Sequence, residues 1–419
     1  MVGLFVYFCR MDRDEQVTRV TMNDIATNLA PSGTVSDRSG VGVFQEAKMS
    51  YDAKLFEDGA YPFKTIGVIY CTSEETAAGR EDEKLADREV IETAHAVKAA
   101  LDHHVSSGLQ VELVNLRTAC LADLSRYDWI FNLAESIYGF PYSEYEIAAM
   151  MESLGINFTG SGSFTLKACL DKAVTKAELV KFNLLTPAYA VYQPGDRLNA
   201  NRRYPLIVKP VHEDGSIGIT AESVAHNPAE LAARVAYIHR FYAQGALVEE
   251  YIEGRDITAS ILGNGSEVNA MPLSECTYPE NNGPRFLTFD AKWKSETRAY
   301  QTTIARCPCE LDPAVEAQIK AIALRAYAIM GCRDYSRVDF RLAGSTPYVL
   351  EVNPNPCINP DDSGYVRSGK ANGFVYDALI KNILDSSIHR ACAAGPFYPA
   401  VTRRAKRPAQ GWQVSPSPV

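Results

Sequence analysis

The most constraining feature of this sequence is a segment with the alternation of a β-hairpin, at residues 331–364. Residues 336–342 and 347–353 alternate polar and apolar side chains, which is typical of antiparallel strands. Gly344 and Ser345 lie between them and predict the turn. We therefore expect a hairpin that has one strongly polar face.

The register of this hairpin predicts two carboxylates opposite each other. Folding about Ser345 sets Asp339 opposite Glu351 and Arg337 opposite Asn353. Like charges directly across a ladder destabilise it by roughly 0.2 to 1 kcal/mol. A divalent cation between them would remove that cost, because Mg2+ prefers oxygen ligands. A solvated polar strand face is the alternative, although Asp, Glu and Asn are poor strand formers.

Composition and charge narrow the class of protein. A chain of 419 residues can form two or three domains, and 46% hydrophobic and 22% charged residues are ordinary for a globular protein. A net charge of -9 disfavours nucleic-acid partners, and no run approaches the roughly 18 apolar residues of a membrane helix. The ten cysteines lack zinc spacing and are expected as reduced thiols. We expect a cytoplasmic protein with no nucleic-acid or membrane partner.

Periodicity predicts an α/β fold that is α+β in part. From residue 63 strands alternate with helices, which indicates a parallel sheet with helices on its faces. The expected segments are an N-terminal extension at 1–62, an α/β domain at 63–162, a central subdomain at 163–247, a C-terminal domain at 248–390 and a flexible tail at 391–419. Within them we expect one helix at 163–184, a returning strand at 217–221 and a closing helix at 373–386.

A second polar feature follows the strand that ends at Lys209. This lysine closes the apolar run at residues 205–209, and a buried strand end needs an anionic partner for it. The next turn, EDGSIG, offers the backbone N–H groups of Gly215, Ser216 and Ile217 to phosphate oxygens. No P-loop motif is present. A phosphate cradle and an ordinary hairpin loop are both open interpretations.

Acidic residues also interrupt the apolar run ALVEEYI at residues 246–252. Buried carboxylates need hydrogen-bond donors, and an adenine amino group could supply one near Glu249 and Glu250. Asp256 could accept hydrogen bonds from ribose hydroxyls. A partly exposed edge strand is the alternative.

Taken in order, these segments resemble a known family. The chain contains LIVKP, EDGSIG, VEEYIEGRDIT, FDAKW, SRVDFRL and YVLEVNPNP, and this ordered set is similar to the ATP-grasp superfamily, most closely to the D-alanine:D-alanine ligase family. Upstream, FNLAE, ESLGINFTGSG and LDKAVTK resemble that family's first domain and the start of its second. The resemblance spans about residues 63–388 and implies a parallel-sheet domain followed by two subdomains that clasp ATP.

The resemblance implies roles for individual residues. The expected ATP contacts are Lys172, Lys209, Gly215, Ser216 and Lys292 for the phosphates, Glu249, Glu250 and Ile252 for the adenine, and Asp256 for the ribose. The expected catalytic residues are Arg337, Lys292 and Ser216. The expected ligands of Mg2+ or Mn2+, with two ions anticipated, are Asp339, Glu351 and Asn353. Lys292 would lie on a mobile lid at residues 274–300.

The reaction implied by the resemblance is the activation of a carboxylate. ATP transfers its γ-phosphoryl group to the carboxylate, and an amine then displaces phosphate from the acyl phosphate to form an amide. The metal and the lysines neutralise the charge that builds on the transferred group. The lid excludes water, which would hydrolyse the acyl phosphate.

The segments expected to select the substrate depart from the family pattern. The first glycine-rich turn reads IYCTSEETAAG, and Cys357 stands after NPNP, where peptide ligases often have glycine. The expected substrate contacts are Glu74, Asp362, Ser363, Arg367 and Lys370. An arginine can bind a carboxylate bidentately, while a solvated helix position is the alternative for Arg367.

These departures favour an amino-acid ligase of specialised metabolism, of the dipeptide or γ-glutamyl type, that acts on small amino-acid-like molecules. The cell-wall D-alanine:D-alanine ligase is the alternative within the class. A non-catalytic nucleotide-binding regulator is the alternative from another class. The family tendency suggests a homodimer.

Overall fold

Three β-sheets organise the described part of the chain. The structure is a computed structural model that describes residues 61, 63–71, 89–104, 109–137, 142–199, 201–278, 285–361 and 363–393. Glu74 and Asp362 lie outside these residues, as do the expected extension apart from Tyr61 and the expected tail apart from residues 391–393. No helix in the described ranges is long and apolar enough to cross a membrane.

The first sheet is parallel, as predicted. Its strands are β1 (Thr65–Tyr70), β2 (Gln110–Asn115), β3 (Trp129–Asn132) and β4 (Asn157–Phe158), in the order β2-β1-β3-β4. Helices α1 (Glu89–His104) and α2 (Glu144–Ser153) lie in the same stretch of the chain. Ile66 and Val68 of β1 are buried in one hydrophobic core and Ile69 in another, so both faces of the sheet are covered.

Two helices follow where the sequence predicted one. They are α3 (Ser163–Leu170) and α4 (Lys172–Lys181). The single helix expected at 163–184 is wrong because Asp171 adopts extended backbone angles and caps α4, accepting hydrogen bonds from Ala173 N at 2.8 Å and Val174 N at 3.1 Å. The break makes Lys172 the first residue of a helix.

An antiparallel sheet lies within residues 189–250, in the part of the chain where we expect the central subdomain and a few residues beyond it. Its strands are β5 (Tyr189–Tyr192), β6 (Leu206–Pro210), β7 (Val224–Ala225) and β8 (Ala246–Glu250), in the order β5-β8-β6-β7, and α5 (Pro228–Tyr242) packs on it. The returning strand expected at 217–221 is wrong. Gly215, Ser216 and Gly218 have positive φ, so the chain turns repeatedly there and pairs with β6 only at β7.

The largest sheet carries the hairpin. Its strands are β9 (Arg255–Leu262), β10 (Asn269–Ala270), β11 (Ser274–Thr277), β12 (Ile304–Arg306), β13 (Tyr335–Ala343) and β14 (Thr346–Asn353), in the order β12-β11-β9-β13-β14 with β10 beside β9. The remaining helices are α6 (Phe289–Trp293), α7 (Arg298–Thr302), α8 (Pro313–Met330), α9 (Gly364–Ala371) and α10 (Tyr376–Ala393). The closing helix, α10, thus starts and ends later than expected, because its apolar face continues through Ile388 in the first-domain core.

A buried carboxylate ties the first domain to this sheet. Asp334 is fully buried and accepts hydrogen bonds from Arg390 Nε at 2.8 Å, Asn264 Nδ2 at 2.9 Å and Gly160 N at 2.8 Å. Arg390 also donates to Phe158 O at 2.8 Å. The end of β4, the start of β13 and helix α10 therefore meet at one side chain.

Replacing Asp334 by asparagine should destabilise the fold. Asp334→Asn removes the charge that faces Arg390, and we expect the free energy of unfolding to fall by about 3 kcal/mol. Asparagine tolerates the positive φ of 68° at this position, so the backbone is not strained. Urea unfolding measures the change. Asp102→Asn, in the exposed pair with Lys98 on α1, is the matched control and should cost less than about 1 kcal/mol; equal losses would contradict the prediction.

Candidate active site

Two adjoining cavities gather residues from the two antiparallel sheets and from segments that follow strands of the first sheet. We call them the smaller cavity, of about 230 Å³, and the larger cavity, of about 660 Å³. Both are lined by five of the predicted site residues: Lys172, Gly215, Lys292, Arg337 and Glu351. These residues come from four separate segments of the sequence, so the fold brings the predicted motifs together.

The other predicted residues divide between the cavities and their surroundings. The larger cavity alone is lined by Lys209, Ser216, Asp256, Asp339, Ser363 and Arg367. Asn353 lines the smaller cavity. Glu249, Glu250, Ile252 and Lys370 line neither cavity. Asp256 itself is paired with Arg341 at 2.6 Å and accepts a hydrogen bond from Tyr278 at 2.6 Å.

The predicted hairpin register is confirmed at the cavity. Asp339 lies opposite Glu351 and Arg337 opposite Asn353. Nearer the turn the pairing differs, because Phe340 faces Val349 and a bulge intervenes at Leu350. The two-residue turn alone would set Leu350 opposite Asp339, so the extra residue of the bulge is what turns Glu351 toward Asp339.

Two cations of the chain compensate the facing carboxylates. Arg337 donates from Nε and Nη2 to the two oxygens of Asp339, both at 2.8 Å, and Lys172 Nζ lies 3.0 Å from Glu351. Burial raises the pKa of Asp339 to about 6, although Arg337 opposes the rise. For Glu351 burial acts in the same direction, but Lys172 and Arg337 outweigh it and hold the pKa below its usual range.

The oxygen donors of the hairpin fit a hard divalent cation. Asp339 and Glu351 supply carboxylates, and the Asn353 amide oxygen, which accepts from Asn355 N at 3.0 Å, keeps a second lone pair. The described residues contain no group of three or more His, Cys, Asp or Glu side chains that could hold a metal. An ion at this hairpin would therefore complete its ligand shell with phosphate oxygens and water.

Lys172 and Lys209 are positioned by one junction. Lys172 N, at the start of α4, donates to Val211 O at 3.1 Å, just past the end of β6, the strand that carries Lys209. Burial alone would lower the pKa of Lys172, but the carboxylates of Glu351 and Asp214 raise it above its ordinary value. Lys172 is therefore fully protonated at neutral pH and suited to phosphate oxygens.

A third lysine, Lys176, was missed as a site residue by the sequence reasoning. Its side chain is 1% exposed, and Nζ contacts Glu249 Oε1 at 2.5 Å, Thr186 Oγ1 at 2.8 Å and Leu350 O at 3.2 Å. Lys209 Nζ lies 2.7 Å from the other oxygen of Glu249. The only available signal was its spacing of four residues from Lys172 on one helix face.

Glu249 consequently has partners other than the expected adenine. Burial would raise its pKa, but Lys176 and Lys209 outweigh burial and lower it to about 2. Glu250, the next residue, is exposed. The buried carboxylate therefore serves the lysines, and any adenine contact at this strand end would fall to the backbone or to neighbouring side chains.

The expected lid is shorter than predicted. Ser274–Thr277 is strand β11, paired with β9, so the segment outside the sheet begins only after it. Lys292 lies on the short helix α6 and lines both cavities. The hydroxyl of Ser216 donates to Leu287 O at 2.9 Å. Because the hydroxyl is engaged there, a phosphate contact by Ser216 would be made by its backbone N–H.

The residues expected to contact the substrate lie in different surroundings. The Ser363 hydroxyl donates to Cys357 O and accepts from Tyr365 N at 3.2 Å as the N-cap of α9, so it is engaged within the fold. Lys370 is exposed and donates to Pro360 O at 2.9 Å, away from both cavities, because it points outward from α9. Arg367, half-buried, lines the larger cavity.

Glu144 is a further cavity residue that the sequence did not reveal. Its Oε1 accepts from Asn355 Nδ2 at 2.8 Å, and the Asn355 amide is oriented by Tyr335, whose hydroxyl donates to Oδ1 at 2.6 Å. Burial raises the pKa of Glu144 to about 8. Glu89 and Glu135 line the same cavity. Among the described residues that line it from the stretch 63–162, none is Lys, Arg or His. This acidic wall could hold an ammonium group.

Removal of the Glu249 charge should destabilise the protein. Glu249→Gln leaves two ammonium groups around a neutral amide, and we expect a loss of about 3 to 5 kcal/mol in the free energy of unfolding at pH 7. Because the folded pKa lies below the ordinary 4.5, this stabilisation is present above pH 4.5 and is lost as the pH falls toward 2. Chemical denaturation at pH 7 and pH 3 tests both points. Glu250→Gln, the exposed neighbour, should change stability by less than about 0.5 kcal/mol; a comparable loss there would contradict the assignment.

Comparisons with known proteins identify the family of the chain. The family model described as the D-ala D-ala ligase C-terminus matches residues 177–385. A D-alanine–D-alanine ligase of Bordetella pertussis is 32% identical over 329 residues, which cover 77% of this chain and 94% of that protein. The uncharacterised protein y4sG of Sinorhizobium fredii is 36% identical over 262 residues, or 62% of this chain and 75% of that protein.

A solved structure shows the same fold. The crystal structure of D-alanine–D-alanine ligase from Bacillus anthracis complexed with ATP superposes with a TM-score of 0.61 at 21% identity, covering 79% of this chain and 100% of that one. The parallel first sheet and the two antiparallel sheets are thus those of the ATP-grasp fold. The chain belongs to the D-alanine–D-alanine ligase family and is an ATP-dependent carboxylate–amine ligase.

Proposed function

We propose that this ligase joins two amino-acid-like molecules through an acyl phosphate, in a specialised pathway of the dipeptide or γ-glutamyl type. The observation that carries the proposal is the meeting of Lys172, Lys292 and Arg337 with Glu351 where the two cavities adjoin. Cations that line both cavities suit a phosphoryl group that passes from a nucleotide in one cavity to a carboxylate in the other.

The larger cavity suits the nucleotide. Lys209 and Lys172 lie where phosphates would enter, and the positive φ of Gly215 and Ser216 turns successive backbone N–H groups toward one side as an anion-binding nest. Asp256 lines the same cavity and would accept ribose hydroxyls. These groups bind and orient ATP, so most of their contribution is positioning.

The hairpin would hold Mg2+ or Mn2+, expected as two ions. Asp339, Glu351 and Asn353 are the proposed ligands, and the ion would supply neutralisation of the charge on the transferred phosphoryl group. Arg337, half-buried and paired with Asp339, would contact the same phosphoryl oxygens on the acyl phosphate. Lys172 and Arg337 also keep Glu351 ionised for that purpose, because they hold its pKa below the usual range.

The smaller cavity suits an amino acid whose carboxylate and ammonium groups bind to different sets of side chains. Its cations at Lys172 and Arg337 would attract the carboxylate to be activated, and Glu144 in the same cavity would bind an ammonium group. Arg367 in the larger cavity would bind a second carboxylate, that of the attacking amino acid. The D-alanine–D-alanine ligase of cell-wall synthesis is the second candidate, supported by the names of the relatives.

A screen of substrate pairs decides between these functions. Purified protein with Mg-ATP is mixed with pairs of D- and L-amino acids, including D-alanine alone and L-glutamate with amines, and phosphate release and product mass are measured. The proposal expects a product other than D-alanyl-D-alanine. Turnover with D-alanine alone supports the cell-wall enzyme. Binding of Mg-ATP with no ADP from any pair would favour a nucleotide-binding regulator.

Loss of one hairpin carboxylate should abolish turnover. Glu351→Gln removes a metal-ligand charge, and we expect ADP release to fall at least ~100-fold while circular dichroism stays that of wild type. The matched control is Glu178→Gln, in an exposed pair with Lys181 on α4, which should keep full activity. Full activity of Glu351→Gln would refute the metal assignment.

Glu144→Gln should weaken binding of the amino-acid substrate. Loss of a charge-assisted hydrogen bond predicts a rise of about tenfold or more in KM for that substrate, with little change in KM for ATP. Since burial raises the pKa of Glu144 to about 8, its charge appears as the pH rises, and the wild-type KM should fall between pH 7 and pH 9. Steady-state kinetics across this range should show a flat profile for Glu144→Gln. Glu146→Gln, on the same helix, is the control, and an unchanged KM for Glu144→Gln would exclude the role.

A further inference from the structure

A tyrosine directly after β11 contacts the carboxylate that was expected to bind ribose. The Tyr278 hydroxyl donates to Asp256 Oδ2 at 2.6 Å, and Arg341 Nη1 lies 2.6 Å from the other oxygen, Oδ1. Burial and the nearby Asp256 carboxylate raise the pKa of Tyr278 well above its ordinary value, so the phenol stays protonated and acts as the donor. Tyr278 was not among the residues that the sequence assigned to the site.

The strand pairing of the largest sheet determines where this tyrosine lies. Asp256 on β9 lies opposite Cys276 on β11. Tyr278 is two residues beyond Cys276, so alternation directs its side chain to the same face of the sheet, where it meets Asp256. Thr258, two residues along β9 from Asp256, lies opposite Asp339. The pair of Tyr278 and Asp256 is therefore about 7 Å along the sheet from a proposed metal ligand.

This position suits the sugar of a nucleotide. Asp256 and Tyr278 both line the larger cavity, which Asp339 lines as well. In a nucleotide the ribose lies between the phosphates and the base, so a ribose that follows phosphates held near Asp339 comes next along β9, at Asp256. The apolar side chains of Ile207 and Phe286 line the same cavity and remain for the base.

Two adjacent oxygen atoms of the pair match a vicinal diol. Tyr278 uses its proton on Asp256, so the phenol oxygen keeps a lone pair for a further donor, as does Asp256 Oδ2. These two acceptors are 2.6 Å apart, and the oxygens of a cis-diol are separated by a similar distance. The other oxygen of Asp256 is engaged by Arg341, so the phenol supplies the second acceptor.

We propose that Tyr278 and Asp256 together bind the 2′- and 3′-hydroxyls of the nucleotide, and that Tyr278 makes the protein select nucleotides with an intact ribose diol. The inference rests on the proposed binding of ATP in the larger cavity. It adds a second acceptor to the single ribose contact that the family resemblance implies. A nucleotide that lacks either hydroxyl leaves one buried acceptor unpaired, which weakens its binding.

One variant removes the phenol oxygen and keeps the ring. Tyr278→Phe is compared with wild type and with Tyr237→Phe, a matched control because Tyr237 is also half-buried but lies on α5 and lines neither cavity. All proteins are full-length, and thermal unfolding confirms that each is folded.

The measurement is the Kd of ATP, 2′-deoxy-ATP and 3′-deoxy-ATP by isothermal titration calorimetry with Mg2+ present. Wild type and Tyr237→Phe should bind ATP roughly tenfold more tightly than either analogue, because each analogue loses one hydrogen bond to a buried acceptor. In Tyr278→Phe the discrimination against one analogue should disappear, while that against the other remains.

Three results would overturn the proposal, and they have different meanings. Equal affinity of wild type for all three nucleotides would exclude a diol site. Equal weakening of all three in Tyr278→Phe would show that the phenol only orients Asp256. Both results leave the proposed nucleotide cavity intact. If wild type binds none of the three nucleotides, the proposed function itself fails together with this inference. Because binding alone is measured, no substrate pair has to be known.

Discussion

The geometry of the active site depends on one buried ammonium group, that of Lys176. Removing an ammonium from water costs several kcal/mol unless acceptors replace its hydration. Three acceptors do so here: the Glu249 carboxylate, the Thr186 hydroxyl and the Leu350 carbonyl. They belong to strand β8, to the segment before β5 and to the bulge of β14. One cation thus joins the central subdomain to the hairpin, and through Glu249 it also fixes the position of Lys209.

The contact with Leu350 matters because the bulge determines which side chains face the cavity. Side chains alternate along a strand, so a shift of one residue moves each of them to the other face. A two-residue turn without the bulge would direct Glu351 away from Asp339. Lys176 contacts the carbonyl of the bulge residue from a helix 174 positions earlier in the chain. The arrangement of charge on the hairpin is therefore a tertiary property, although its residues are adjacent in sequence.

This dependence on tertiary contacts explains how much of the fold and of the candidate site could be predicted from the sequence. Polar–apolar alternation located both hairpin strands, and the alternation of strands with helices indicated the parallel sheet, because both patterns depend on local burial. Folding about Ser345 assumes a turn that is one residue longer than the observed one. The predicted register was right at Asp339 only because the bulge adds one residue to β14 and restores that offset. The break at Asp171 and the true extent of the lid required backbone angles and strand pairing. Glu144 was missed because its partner Asn355 lies 211 residues away, and no local pattern records such a contact.

The distribution of charge separates reaction from selection. Arg337 lies on the strand that carries Asp339 and pairs with it, and Lys172 pairs with Glu351 from helix α4, so the groups proposed for phosphoryl transfer are held by one interlinked network. The acidic wall, formed by Glu89, Glu135 and Glu144, comes from the part of the chain that precedes these elements. Among the contacts described for Glu144, the hydrogen bond from Asn355 is the one that links it to the hairpin segment. A carboxyl kept neutral by burial becomes charged when an ammonium approaches, because the nearby cation favours its ionised form. In the proposed ligase, Glu144 would therefore couple recognition of an amino group to its own ionisation, and the first domain could change substrate without disturbing the groups that transfer phosphate.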